Sequence, residues 1–382
     1  MAKEAKTAQD VPAADPEAPE ALRARLAELR VGIDAADDEI LKILNRRAGL
    51  VTEVADLKTA LSVPFYVPSR ERQIGERLAA SNPGPFPTES IRPVFQEIFS
   101  ACLALEKRVR VAYLGPEGTF SDLAVKHQFG LSARSTPMGT IAAVFEEVAR
   151  GNVDFGVVPV ENTTEGMINP TLDCFIDSDL KVSAEIAMEI NMCLIGRAGI
   201  SLAQIERVYS LPVALAQVRR FLAANLPRAV LVEARSTADA AQLAHGDPQG
   251  AAVGSELAAK LHELAVLRHK IEDLAHNMTR FLVLGREQAA PTGHDKTSLL
   301  LVTRDEAGIL YRVLGTFAER GLNMTKIESR PSRRRPWEYV FFVDIDGHER
   351  DAPVAAALEA VRKVSESVKV LGSYPRADGR AG

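Results

Sequence analysis

Hydrophobic spacing divides the chain into three stretches with different periods. From 20 to 61, Leu22, Leu26, Leu29, Ile33, Ile40, Ile43, Leu44, Leu50, Val51, Val54 and Leu57 recur by threes and fours, the rhythm of an amphipathic helix. No proline interrupts these roughly forty residues, so a rod of about 60 Å is predicted. Its apolar stripe is too long for its own neighbours to cover and calls for a second chain or a bundle. "SVPFYVPS" ends the rod, "RERQIGERLAA" predicts a short helix, and "SNPGPFPTES" is a turn-rich loop. "ESIRPVFQEIFSACLALEKR" predicts a last helix with Pro93 in its first turn.

Past Arg108 the pattern alternates between strand and helix. Strand "VRVAYLG" leads through "GPEGTF" to a helix near 120–129, then a helix at 140–149 and strand "DFGVVPV". Strands within 182–195, "RVYS", a helix at 213–224, "AVLVEA", a helix at 237–245, "GAAVG", a helix at 255–261 and a strand at 280–285 follow. This is an α/β layout with a mostly parallel sheet, long enough for two lobes with a cleft. Binding residues are expected in the loops at strand ends. After the polar linker "REQAAPTGHDK" come "TSLLLVT", a helix at 307–319, "NMTKIES", "WEYVFFVDI", a helix at 352–364 and "SVKVLG". That β-α-β-β-α-β order is ferredoxin-like, and sensing or dimerisation suits it.

With 382 residues, two or three domains are expected. A 46% hydrophobic and 25% charged composition is that of an ordinary soluble globular protein. The formal net charge of -5 gives no bulk attraction to nucleic acid or an anionic membrane. No 18-residue apolar run exists to span a bilayer. Cys102, Cys174 and Cys193 have no metal-ligand spacing. They fit reduced thiols in a cytoplasmic protein, and neither metal nor cofactor is expected. The acid-containing start, 1–19, reads as a disordered tail and not a signal peptide.

In the helical stretch, Arg47 and Lys58 are eleven residues apart and share a side, while Arg30 lies about 25 Å up the axis. Either these cations snorkel from a buried seam, or they line a cavity for a compact dianion, with Arg30 supplied by an antiparallel partner chain. "LRVGIDAADDEILKILNRRAGLVTEVADLK" resembles the all-helical class of chorismate mutase domains, which form intertwined dimers. The resemblance implies that Arg30 reaches in from the partner while Arg47, Lys58 and Arg70 hold two carboxylates and the ether oxygen. Glu71 would take the ring hydroxyl. Glu106 stands where the family often has glutamine, and a glutamate donates to the ether oxygen only when protonated. Val67 and Cys102 also depart from the family pattern. A pericyclic rearrangement of chorismate to prephenate needs neither cofactor nor nucleophile.

In the central stretch, "GPEGTFS" opens a helix either as a cap or as an anion site built from amides, with Thr119 at its turn. "VVPVENTTEG" ends a strand in Asn162, Thr163 and neighbours, a capping cluster or a polar ligand site. "HNMTRFLVLG" puts Thr279 and Arg280 ahead of an apolar run. Together these motifs resemble prephenate dehydratase, a family whose two lobes are like periplasmic binding proteins. By that resemblance Thr279 helps the C4 hydroxyl of prephenate to leave, Arg280 binds a carboxylate, and Asn162, Thr163, Ser210 and Gln217 lie near the substrate. "SLPVAL" carries Leu211 and Val213 where the family has histidine and glutamine.

"GLNMTKIESRP" resembles an ACT regulatory domain, implying phenylalanine bound at a dimer interface by Gly308, Asn323, Glu328, Ser329 and Arg330. In "GIL", Ile309 replaces the family's alanine. The expectation is therefore a multidomain chain: an all-α, dimeric mutase domain at 20–108, a two-lobed α/β dehydratase at 109–286, a linker at 287–296 and a ferredoxin-like α+β ACT domain at 297–373. Its substrates would be chorismate and prephenate, its effector phenylalanine, its assembly a homodimer with higher order left open. Two rivals remain: a dehydratase whose helical domain serves assembly only, and a two-lobed binding protein without turnover.

Overall fold

The computed structural model describes residues 18–61, 63, 65–303, 306–332 and 339–377. The chain divides into two compact units, 1–63 and 64–382. Almost all of the expected tail, and the start of "WEYVFFVDI", lie outside the described residues.

Among the described residues of the first unit, Ala18–Leu61 form one helix, α1, as the unbroken spacing predicts. Among its described residues only Ala55 is buried. Leu22, Leu26, Leu29, Ile33, Ile40, Ile43, Leu50, Val54, Leu57 and Leu61 are exposed.

The second unit opens with α2 (Pro68–Ala80) and α3 (Thr88–Glu106). Pro68 begins α2, where a missing N–H costs nothing. Pro93, expected in the first turn of its helix, is instead inside α3, because the helix starts earlier; it removes one interior amide from the ladder.

Next come β1 (Arg110–Leu114), α4 (Phe120–Phe129), β2 (Arg134–Met138), α5 (Ile141–Ala149), β3 (Phe155–Asn162), β4 (Gly166–Met167), α6 (Asn169–Asp177) and β5 (Lys181–Glu189). The chain then crosses into a second sheet through β6 (Cys193–Gly196), β7 (Arg207–Ser210), α7 (Pro212–Gln217), α8 (Arg219–Asn225), β8 (Val230–Glu233), α9 (Thr237–Gly246), β9 (Gly250–Gly254), α10 (Glu256–Leu261) and β10 (Ala265–Arg268). It returns as β11 (Met278–Gly285). The helix expected at 213–224 is two helices divided at Val218.

The first lobe has strand order β2-β1-β3-β11-β5 and the second β10-β6-β9-β7-β8. Both are mixed, which corrects the expected mostly parallel sheet. β1 is parallel to β2 and β3, but β11 is antiparallel to β3 and β5. The reason is topological: β5 carries the chain out of the first lobe and β11 brings it back, so the two must run in opposite directions. At the crossing Ile190 N–H donates to the Asn277 carbonyl at 2.7 Å. The edge strands β2 and β10 escaped the sequence reading; β2, "RSTPM", has no buried residue to mark it.

β12 (Asp295–Val302), α11 (Ile309–Ala318), β13 (Met324–Pro331), β14 (Tyr339–Asp346), α12 (Ala352–Val364) and β15 (Ser367–Pro375) complete the chain. Their antiparallel order, β13-β14-β12-β15, is the expected ferredoxin-like sheet. Leu299, Leu301, Val343 and Ile345 pack on one face with Val313, Phe317, Leu358 and Val361 of α11 and α12. The other face carries Leu300, Val340, Phe342, Leu371 and Tyr374, which share a core with Phe145, Leu172, Phe175, Val182 and Leu282 of the first lobe. Alternation along each strand therefore serves two cores at once.

Where β15 meets β5, Gly372 leaves no room for a side chain: a Cβ would sit 2.3 Å from Val182 O and 2.9 Å from its N. Backbone cannot yield as a flexible side chain can. Gly372→Ala is expected to lower stability by about 1–3 kcal/mol, read by denaturant unfolding, with faster amide exchange along β5 and β15.

Candidate active site

Thr279 is the second residue of β11, in register with Asn162 on β3 and Met188 on β5. Its side chain is buried at the strand end nearest the crossing between lobes. Asn162 Nδ2 donates to Thr279 Oγ1 and to Asn277 Oδ1, each at 2.8 Å. Asn162 Oδ1 accepts the backbone amides of Thr164 at 2.9 Å and Glu165 at 3.0 Å. Backbone N–H groups need an oxygen, so this end of the amide is fixed and the NH₂ end faces Thr279. An N–H thus occupies one lone pair of the hydroxyl, and the Thr279 proton is directed to another acceptor.

The network continues into the second lobe. Asn277 Nδ2 donates to Gln217 Oε1 at 2.9 Å, and Gln217 Nε2 donates to Glu165 Oε1 at 2.8 Å. Gln217 comes from α7 and Glu165 from the turn after β3, so side chains of both lobes are tied around the crossing. Thr163 holds the same turn against β11: its N–H donates to Met278 O, and its Oγ1 accepts Met278 N–H, each at 2.9 Å.

The loop 115–119 leaves the C-terminal end of β1. Gly118 has φ +84°, and a Cβ there would meet Leu261 at 3.2 Å and Ala258 at 3.4 Å. Ser255 Oγ donates to Gly118 O at 2.9 Å, so this glycine is where α10 of the second lobe seats. Thr119 stands half-buried at the N-cap position of α4 without a side-chain capping bond, its hydroxyl donating to Pro116 O at 2.9 Å. Ser210 is fully buried and donates to Val253 O at 2.8 Å. It is tied to β9 and does not join the hydrogen bonds around Thr279.

Arg280 faces the other way. Its Nη1 lies 2.7 Å from Asp344 Oδ2 and 3.1 Å from Glu185 Oε2, and its Nε is 3.4 Å from Glu161 Oε2. Successive residues of a strand point to opposite faces, so the pleat that turns Thr279 toward the crossing turns Arg280 toward the ferredoxin-like sheet. The carboxylates that Arg280 meets here are the protein's own. Burial pulls its pKa down, but Asp344, Tyr374 and Glu185 more than offset this and leave it raised.

Arg30, Arg47 and Lys58 stand on α1, Arg30 exposed and the other two half-buried. Arg70 and Glu71 are in the first turn of α2, and Glu106 is the last residue of α3. A cavity of about 410 Å³ between α2, α3, α4 and β5 is lined by Glu71, Arg72, Arg92, His127 and Gln128. No member of the Thr279 network lines it. In the C-terminal sheet Gly308 is left-handed at φ +77° and precedes α11, Ile309 is buried, and Asn323 Nδ2 donates to Asp346 Oδ2 at 2.9 Å. Alternation on β13 puts Glu328 and Arg330 on the face toward the first lobe, with Arg330 Nη2 3.0 Å from Asp173 Oδ1, and Ser329 on the opposite face.

Family profiles match in chain order: chorismate mutase type II over residues 29–107, prephenate dehydratase over 111–289 and the ACT domain over 297–363. A bifunctional chorismate mutase/prephenate dehydratase from Aquifex aeolicus (strain VF5) is 46% identical over 356 residues, 92% of this chain and 98% of that protein. One from Stutzerimonas stutzeri is 43% identical over 358 residues, again 92% and 98%. This chain belongs to the bifunctional chorismate mutase/prephenate dehydratase family. Among solved structures, the prephenate dehydratase from Arthrobacter aurescens in complex with L-Phe superposes with a TM-score of 0.67 at 35% identity, covering 71% of this chain and 91% of that one.

Within this family frame, the structure adds Asn277 and Glu165 to the residues expected around Thr279. Both lie inside the stretches "HNMTRF" and "VENTTEG" that carried the resemblance. What hid them is distance: their roles exist only once Gln217 arrives from another lobe. Asn162→Leu would strip partners from Asn277 and from two backbone amides. It is expected to cost about 1–3 kcal/mol in denaturant unfolding.

Proposed function

We infer that the chain converts chorismate to prephenate in its helical part and prephenate to phenylpyruvate in its two-lobed part. The observation that carries the dehydration is the Asn162 N–H on Thr279 Oγ1, which leaves the Thr279 proton for another acceptor; we assign that acceptor as the leaving hydroxyl. On α1, Arg30, Arg47 and Lys58 are cations of the kind that binds two carboxylates, and a rearrangement driven by positioning and charge needs no nucleophile.

For dehydration, the C4 hydroxyl leaves with a proton while the ring carboxylate departs as carbon dioxide and the ring becomes aromatic. Aromatisation drives the step, so a weak donor placed well is adequate. Threonine is a poor acid, and the amide chain of Asn162, Asn277 and Gln217 carries no acidic proton. We therefore assign Thr279 an orienting and hydrogen-bonding role at the leaving oxygen. Asn162, Thr163 and Gln217 shape the polar wall, and the amides after Gly118 favour an anionic group. We assign phenylalanine as the effector of the ACT domain, supported by the L-Phe complex of the Arthrobacter enzyme.

A homodimer follows from the same reasoning. Leu22, Leu29, Ile33, Ile40 and Leu57 are exposed on α1, and burying each such side chain gives about 1.5–3 kcal/mol. A second copy of the same helix is the partner that the stripe fits.

Purified protein given chorismate alone is expected to form phenylpyruvate, and Thr279→Val to lower prephenate turnover about 10²–10³-fold while chorismate still disappears. Thr279→Ser should keep most of the activity. Assays from acid to neutral pH are needed because Glu106 can donate only when protonated. Turnover of prephenate without turnover of chorismate at any pH would leave a dehydratase alone; unchanged dehydration by Thr279→Val would leave a binding protein or another catalytic group. Sedimentation at micromolar concentration is expected to give the dimer mass, and a monomer would contradict the reading of α1.

A further inference from the structure

Behind Thr279 lies a buried cluster of charges that the reaction does not use. Arg280 and Glu161 are register partners on β11 and β3, each one residue from Thr279 and Asn162. Arg280 pairs with Glu185 and with Asp344 of β14. Lys326 Nζ of β13 lies 2.7 Å from Glu161 Oε2, and Lys296 Nζ of β12 lies 2.9 Å from both oxygens of Glu185. Ser298 Oγ donates to Asp344 Oδ1 at 2.5 Å and shares a 2.6 Å hydrogen bond with Tyr374 Oη. Side-chain exposure is 2% for Glu185, 7% for Asp344 and 10% for Lys296, so water screens these three charges little, while Glu161 at the rim is 40% exposed.

The division of charge matters most. The dehydratase side contributes Glu161, Glu185 and Arg280, and the regulatory side Lys296, Lys326 and Asp344. Each side alone is unbalanced by one charge, negative on the first and positive on the second. Only the seated pair is neutral. A shift of the regulatory sheet therefore strands buried charge, and the residue that feels it is the covalent neighbour of Thr279.

We propose that Arg280 is a positioning residue, held by Asp344 of the regulatory sheet, that sets the place of Thr279 along β11 and so ties dehydration to the seat of the ACT domain. Phenylalanine at the ACT domain acts on the reaction through this cluster. The inference rests on the reading of Thr279 as the group at the leaving hydroxyl. It deepens that reading by assigning the route of regulation.

The test uses the full chain and two assays on one preparation. Asp344→Asn keeps the shape and removes the charge. Prephenate kcat is expected to fall roughly 2- to 30-fold with KM little changed, the range of coupling exerted by a residue that touches no ligand. The response to phenylalanine shrinks with it, and chorismate turnover stays at the parent level, which also reports folded protein. Arg280→Lys keeps the charge without the planar fork and falls between the two. Should Asp344→Asn fail to fold, Ser298→Ala takes its place with the same sign and a smaller effect. A folded variant with parent kcat and parent response to phenylalanine overturns the proposal. So does a rise in KM alone, which would make Arg280 a substrate ligand. Failure of the underlying reading is seen separately, as full dehydration by Thr279→Val; an inactive Thr279→Val beside an unaffected Asp344→Asn removes only the coupling.

Discussion

The antiparallel seating of β11 between β3 and β5 is the constraint on which the rest of the second unit depends. β11 is the strand by which the chain re-enters the first lobe, and it is central in that sheet. Its apolar run, Phe281, Leu282, Val283 and Leu284, is buried on both faces and fixes the register. A slip of one residue would exchange Thr279 and Arg280 between faces. It would put an unpaired guanidinium in the cleft and a short hydroxyl against three carboxylates. The two cores that sandwich the strand forbid that exchange more strongly than any single hydrogen bond does.

Consequences for the reacting side follow from the direction of the hydrogen bonds there. Two backbone amides orient Asn162, Asn162 orients Thr279, and Gln217 ties Asn277 to Glu165 across the crossing. Each link is an ordinary neutral bond except the last, which ends on a carboxylate. Such a chain is useful for holding atoms in place and poor at moving protons. It suits a step in which aromatisation supplies the driving force.

The helical part obeys a different economy of burial. α1 keeps its apolar period, yet most of its leucines and isoleucines are exposed within one chain. The ferredoxin-like sheet stands at the opposite extreme: one face is covered by its own helices and the other by the first lobe. The sheet and the first lobe share a packed interface that includes the close backbone approach at Gly372 and the Arg280–Asp344 pair.

Much of this was legible in the residues themselves. The α1 rod, the β-α-β-β-α-β order and the three motif groups were evident because periodicity and local turn chemistry are properties of neighbours along the chain. That Asn162 and Thr279 serve one site could be expected from strand-end polarity together with the family likeness, but not the hydrogen bond between them. Parallel against antiparallel pairing could not be read, since it depends on where the chain leaves and re-enters a lobe. Nor could the partner of Arg280, for the sequence states that a threonine and an arginine are adjacent and says nothing of what stands on either side of the pleat. Composition and spacing determined which elements form and which chemistries the chain can carry. Only tertiary packing decided that Thr279 faces Asn162 and Arg280 faces Asp344, because those partners lie 117 and 64 residues away and meet through two separate cores.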